Sequence, residues 1–154
     1  MIEIPGYGVM NIENIVCDYN GTVALDGKML AVAKDLLTEL SSSFRVHIVT
    51  ADTFGSVKKE IEGLGFVLKI LQSGDHTEEK AAYVQSLKAE RCIAIGNGNN
   101  DKRMLETAAI GVAVIGKEGC AADAMRSANI VCNDIGDALS MLLKRRRLVA
   151  TLRR

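Results

Sequence analysis

The sequence has no tryptophan, one proline (Pro5) and only six aromatic residues in 154, so its core must be aliphatic. It carries no net charge, with 19 basic and 19 acidic residues, which removes the usual electrostatic argument for a nucleic-acid partner. It has no apolar run near the ~18 residues of a membrane span, and its start lacks the charged-then-apolar order of a secretory signal. The four cysteines, Cys17, Cys92, Cys120 and Cys132, form no CxxC pair. They sit mostly in apolar runs, which points to reduced thiols in a cytoplasmic protein rather than a disulfide scaffold or zinc ribbon. Repeats, low-complexity stretches and linkers are also missing, so a single domain over residues 1–154 is expected.

What is present is a regular alternation. Short runs rich in Ile and Val recur at Ile15–Cys17, Val46–Val49, Phe66–Ile70, Cys92–Ile95, Val112–Ile115 and Ile130–Cys132. Unbroken runs of this kind suit parallel strands covered on both faces. Between them, Met29, Ala33, Leu36, Leu37 and Leu40, then Val57, Ile61 and Leu64, and later Ile135, Ala138, Leu139 and Leu142 follow helical spacing. The pattern predicts an α/β fold: a Rossmann-like three-layer sandwich around a mostly parallel sheet. Residues 1–14, with Pro5, Gly6 and Gly8, read as an arm or hairpin. Residues 144–154 carry six basic side chains and no acid, so a +6 tail hangs on a −6 body. That tail reads as the continuation of an amphipathic helix, solvated or packed on the acidic face of a neighbouring subunit.

An open parallel sheet places its chemistry at the carboxyl ends of its strands. Three such ends are polar: Asp18-Tyr19-Asn20-Gly21-Thr22, Thr50-Ala51-Asp52, and Gly96-Asn97-Gly98-Asn99-Asn100-Asp101. Two charged residues also fall on apolar helical stripes. Lys80 shares one with Tyr83, Val84 and Leu87; either its stem snorkels to the rim or its ammonium meets an anion at the strand ends. The preceding Asp75 and Glu78 form a capping-box pattern. Asp101 shares a stripe with Met104, Leu105 and Ala108. Asn100 is a plausible N-cap and Asp101 suits a first helical turn, but an inward carboxylate also needs donors or a cation. His47, mid-strand, and His76, in a loop, have no partner at ligand spacing and read as structural. Cys17 points to the face opposite Asp18 if the strand is regular.

Together these residues resemble the haloacid dehalogenase (HAD) superfamily, and within it the small proteins similar to the phosphorylation domain of P-type ATPases. Four motifs match in order: Asp18–Thr22, Thr50, Lys80, and Gly96–Asp101, the last close to a GDGxND form. The resemblance implies a magnesium-dependent phosphohydrolase acting through an aspartyl phosphate on Asp18. By the same resemblance Asp18, Asn20, Thr50 and Lys80 are catalytic. Gly21, Thr22, Thr50, Ala51 and Lys80 bind phosphate, and Asp18, the Asn20 carbonyl, Asn97 and Asp101 hold Mg2+. The 28 positions from Thr22 to Thr50 and the 30 from Thr50 to Lys80 leave room for a flap near Asp26-Gly27 but none for a cap domain. Capless relatives act on macromolecular phosphates or assemble, so a homo-oligomer is expected, with a phosphorylated small molecule or macromolecule as substrate and no membrane or nucleic acid. Two acids of the pattern are amides here, Asn20 and Asn97. An amide cannot shuttle a proton near neutrality, so slow turnover is expected. The alternatives are an ATP hydrolase or phosphotransferase like the P-type pumps, and a non-catalytic regulatory or partner-binding module.

Overall fold

A computed structural model describes residues 1–52 and 55–154. The chain opens with an antiparallel hairpin, β1 (Ile2–Ile4) and β2 (Gly8–Met10). The first sheet strand, β3 (Asn14–Asp18), leads through a small flap, β4 (Ala24–Leu25) and β5 (Lys28–Met29), to α1 (Ala31–Leu40) and β6 (Arg45–Thr50). Next come α2 (Ser56–Glu60), β7 (Val67–Ile70), α3 (His76–Ser86) and β8 (Cys92–Gly96). The chain ends with α4 (Lys102–Thr107), β9 (Ile110–Val114), α5 (Ala122–Ser127), β10 (Ile130–Cys132), α6 (Ile135–Leu143) and α7 (Arg145–Leu152).

Six strands form one sheet in the order β10-β9-β8-β3-β6-β7, every pair parallel. The chain starts in β3, moves outward to β6 and β7, then returns to the other side for β8, β9 and β10. The reversal falls between β3 and β8, where such sheets open a crevice. One face, with Ile15, Cys17, Ile48, Ile93, Ile95 and Val112, packs on α1, α6 and α7. The other, with Val16, Val49, Ala94 and Ala113, packs on α3, α4 and α5. Strict alternation thus puts Cys17 in the first core and sends Asp18 toward α3 and α4. The three-layer α/β sandwich is the one the apolar runs predict.

Several local expectations change. The edge strands are covered on one face only, leaving Val67 and Val131 at 38% and 44% exposure. The helix expected through Leu64 stops at Glu60; Gly63 and Gly65, at φ +77° and +74°, take a left-handed backbone that no helix continues. Asn100 is not the N-cap of α4: it lies in a 3-10 turn, Asn99–Asp101, and Asp101 is the cap position. The basic tail does not continue α6, although its basic side chains are exposed as expected. Lys144 breaks the helix at φ −102°, ψ 72°, and α7 folds back on the chain's own hairpin. Leu148 and Leu152 are buried, Arg154 N donates to Pro5 O at 3.0 Å, and the Arg154 guanidinium lies over the Tyr7 ring. Amphipathic packing thus wins over charge.

His47 is structural, as expected, but not partnerless. Its Nε2 donates to Asn14 Oδ1 at 3.0 Å and its Nδ1 accepts from the Tyr83 hydroxyl at 2.8 Å, tying β6 to β3 and α3. Burial, helped by the Arg45 charge, lowers its pKa to about 4. The folded state therefore holds a neutral ring where the unfolded chain would take a proton. This contribution is complete above about pH 6.5 and is lost as pH falls toward 4, up to about 3 kcal/mol. Urea midpoints at pH 7 and pH 4.5 for the protein and His47→Gln should show a steeper acid loss in the parent; parallel losses would contradict it.

Candidate active site

The site forms where β3, β6 and β8 end beside the first turns of α3. Asp18 is the last residue of β3, and its direction follows from the strand's pleat. After it the chain reverses tightly: the Tyr19 carbonyl accepts from the amides of Thr22, Val23 and Ala24 at 3.2, 3.1 and 3.0 Å. Gly21 sits at φ +79°, and a Cβ there would lie 2.5 Å from Asn97 Nδ2. Only glycine lets this turn press against the loop after β8.

Lys80 reaches this point from α3. Its ammonium donates to Asp18 Oδ1 and Asp101 Oδ1, each at 2.7 Å, and to Asn100 Oδ1 at 3.4 Å. All three N–H groups are used, and the residue is only 2% exposed, so it does not snorkel. Asp101 is fully buried. Its Oδ2 accepts the amides of Asn97 and Gly98 at 2.9 and 2.8 Å. These bonds, with the ammonium, offset the desolvation of an inward carboxylate. The Thr22 hydroxyl lies 3.2 Å from Asp18 Oδ2 and 3.1 Å from Asn97 Oδ1, so its one proton is shared between them. Asn97 Nδ2 donates to Gly119 O at 3.1 Å.

Two carboxylates around one ammonium leave the buried cluster with excess negative charge. Burial and the Asp101 charge push the Asp18 pKa up to about 7, while Lys80 and Thr22 pull against them. Burial opposes the Lys80 charge, but Asp18 and Asp101 outweigh it and its pKa is raised. Among the described residues no three His, Cys, Asp or Glu side chains converge on a metal position. The oxygen-bearing side chains that line the pocket include those of Asp18, Asn20, Thr50, Asn97 and Asn100.

A pocket of about 220 Å3 opens over this cluster, lined by Asp18, Asn20, Thr50, Ala51, Lys80 and Asn97 among others. The structure thus brings together six of the residues singled out from sequence. Gly21 and Thr22 line a neighbouring cavity of about 500 Å3 instead, with Thr22 bracing Asp18 from behind, and Asp101 lies beneath Lys80. Thr50 Oγ1 accepts the Asp52 amide at 3.3 Å, leaving its own proton to donate into the pocket. His76 also lines the pocket, which its sequence position did not reveal. It is the first residue of α3 rather than a loop residue, four positions before Lys80, and that spacing was the available signal.

A profile of haloacid dehalogenase-like hydrolases matches residues 75–118, which carry Lys80 and the Gly96–Asp101 loop. The chain belongs to this superfamily of hydrolases. It is 44% identical over 84 residues to an uncharacterized protein of Methanocaldococcus jannaschii, covering 52% of this chain and 90% of that one. Its fold resembles 3-deoxy-D-manno-octulosonate 8-phosphate phosphatase of Moraxella catarrhalis, solved with magnesium, phosphate and KDO, at TM-score 0.72 and 16% identity over 93% and 94% of the two chains. The cobalt-bound Haemophilus influenzae phosphatase of the same name gives TM-score 0.72 and 13% identity over 89% and 90%. The catalytic domain of the CPx-ATPase CopB-B gives TM-score 0.58 and 27% identity, over 71% of this chain and 43% of that one. No helix among the described residues is long and apolar enough to cross a membrane.

The charge excess yields a stability prediction. Asp18→Asn should stabilise the metal-free protein by about 1–3 kcal/mol above pH 7, because Lys80 keeps Asp101 and one buried charge is gone. The gain should shrink as pH falls from 7 toward 4, where the parent's Asp18 takes up a proton in the folded state while the unfolded chain keeps it ionised. Lys80→Met, which strands two carboxylates, should cost about 3–5 kcal/mol. Thermal melts in EDTA across this pH range test both; destabilisation by Asp18→Asn at pH 8 would refute the charge argument.

Proposed function

We propose that the protein is a magnesium-dependent phosphatase in which Asp18 is the nucleophile. The observation that carries this reading is the 2.7 Å contact of Lys80 with Asp18, at a strand end and facing a pocket sized for a phosphoryl group. In the first step an Asp18 carboxylate oxygen forms a bond to phosphorus while the bond to the leaving oxygen breaks, giving an aspartyl phosphate. Water then attacks phosphorus, the bond to Asp18 breaks, and inorganic phosphate leaves. Lys80 favours the ionised form of Asp18 against the upward push of burial and Asp101, and offsets charge on the phosphoryl oxygens. Thr50 donates its hydroxyl proton to one of those oxygens, and the Ala51 main chain borders the same position. Thr22 orients Asp18.

The donor set is all oxygen, which fits a hard cation that keeps several waters and borrows phosphate ligands. Asp18, the Asn20 carbonyl and the Asn97 amide oxygen would hold Mg2+. Asp101 is fully buried and does not line the pocket, so it anchors Lys80 and the loop and joins the metal set least readily. When bound, the ion supplies positive charge beside the transferring phosphoryl group. With one carboxylate at the pocket, affinity for it should be weak. The M. catarrhalis phosphatase and its relatives act on a sugar-acid phosphate, so a small phosphorylated metabolite is the substrate class this reading favours. A second subunit, expected from the motif spacings that leave no room for a cap domain, would supply a cover for the pocket.

With Mg2+, fresh protein should hydrolyse p-nitrophenyl phosphate and acetyl phosphate faster than alkyl phosphates, and EDTA should stop it. Asp18→Asn and Asp18→Ala should each lose on the order of 10³-fold or more. Beryllium fluoride with Mg2+ should raise the melting temperature of the parent but not of Asp18→Asn. Binding without turnover in the parent would favour a regulatory module, and turnover confined to ATP would favour a pump-like hydrolase.

A further inference from the structure

Asn20 leaves the proposed reaction without a proton donor for the departing oxygen. Losing such a donor typically costs about 10²–10⁴ in rate. The pocket nevertheless holds one more titratable side chain besides Asp18 and Lys80: His76. It is half-buried and has no hydrogen-bond or ion-pair partner among the described residues. This contrasts with His47, whose two ring nitrogens are both satisfied inside the sheet.

The surroundings hold His76 in place without occupying it. Asp75 caps α3 through the Glu78 amide at 3.1 Å. Glu79 accepts the Gln72 and Ser73 amides at 2.8 and 2.6 Å and pairs with Lys69 of β7 at 3.5 Å. Glu78 is engaged by Arg103 of α4. Asp18 and Asp101 are claimed by Lys80. The acids of α3 and its N-cap therefore already have partners. The imidazole is the mobile proton carrier left at the pocket, and histidine is the side chain suited to that task near neutrality.

We propose that His76 is the general acid and base of this site, serving in place of the residue at position 20. In the first step the imidazolium N–H gives its proton to the leaving oxygen as the P–O bond breaks, releasing an alcohol and leaving neutral imidazole. In the second, the imidazole takes a proton from the water that attacks the aspartyl phosphate, and the imidazolium is restored. The assignment rests on the phosphatase reading above and adds the origin of its proton.

The test uses the full chain with Mg2+ and three esters of rising leaving-group demand: p-nitrophenyl phosphate, phenyl phosphate and glycerol 1-phosphate. His76→Gln should lower kcat on glycerol 1-phosphate about 100-fold and on p-nitrophenyl phosphate less than 10-fold, because a good leaving group needs little proton assistance. Adding Asn20→Asp to His76→Gln should recover at least 10-fold on glycerol 1-phosphate. Equal losses on all three esters, no loss on any, or failure of the second substitution to recover activity would each overturn the assignment. Asp18→Asn separates the two levels. If it retains turnover, the phosphatase reading fails whatever His76 does. If it abolishes turnover while His76→Gln slows every ester alike, only the His76 assignment fails. A parent inactive on all three esters defeats both.

Discussion

One ammonium between two carboxylates organises this molecule. Lys80 joins α3 to the end of β3 through Asp18 and to the loop after β8 through Asp101, both at 2.7 Å. Those two strands are neighbours at the reversal of strand order, so the ion pairs form where the backbone already leaves a crevice. Such a cluster is poor cement, because each charge must be taken out of water. Its geometry is paid for by amide N–H groups on Asp101 and by the apolar packing of Val84, Met104 and Leu105 around it. The charge that remains is concentrated on Asp18, the group with access to the pocket.

The amides at positions 20 and 97 fit this electrostatic picture. Two carboxylates ~4 Å apart repel by about 4 kcal/mol at an effective dielectric of 20. A cluster already holding one uncompensated charge becomes costlier with each added acid. Replacing two acids by amides lowers that cost, weakens the hold on a cation and removes a proton shuttle. The His76 imidazole proposed as the proton carrier adds no negative charge to the cluster.

Much of this was legible in the primary structure because the signals were local. Ile/Val runs announced the strands, and Lys80 and Asp101 betrayed themselves by sitting on apolar stripes. What failed depended on tertiary context. The shortened α2 turns on backbone dihedrals at Gly63 and Gly65, which spacing of apolar residues ignores. The fate of the basic tail depends on a β1–β2 hairpin far away in sequence, whose Pro5 carbonyl and Tyr7 ring receive Arg154. The place of His76 depends on how Glu79 fixes the segment from Leu71 to Asp75, a three-dimensional arrangement with no motif of its own. Asp101 was recognised as special, but only its full burial, outside the pocket lining, shows that it supports the site from below.

Asn97 has a role that reaches beyond the present chemistry. Its Nδ2 donates to the Gly119 carbonyl while its Oδ1 faces Thr22. An aspartate at this position would turn an attractive contact with Gly119 into two opposed oxygens. An Asn97→Asp change is therefore coupled to its surroundings: the segment around Gly119 must rearrange to accept the acid, and in the present arrangement the neighbours favour the amide.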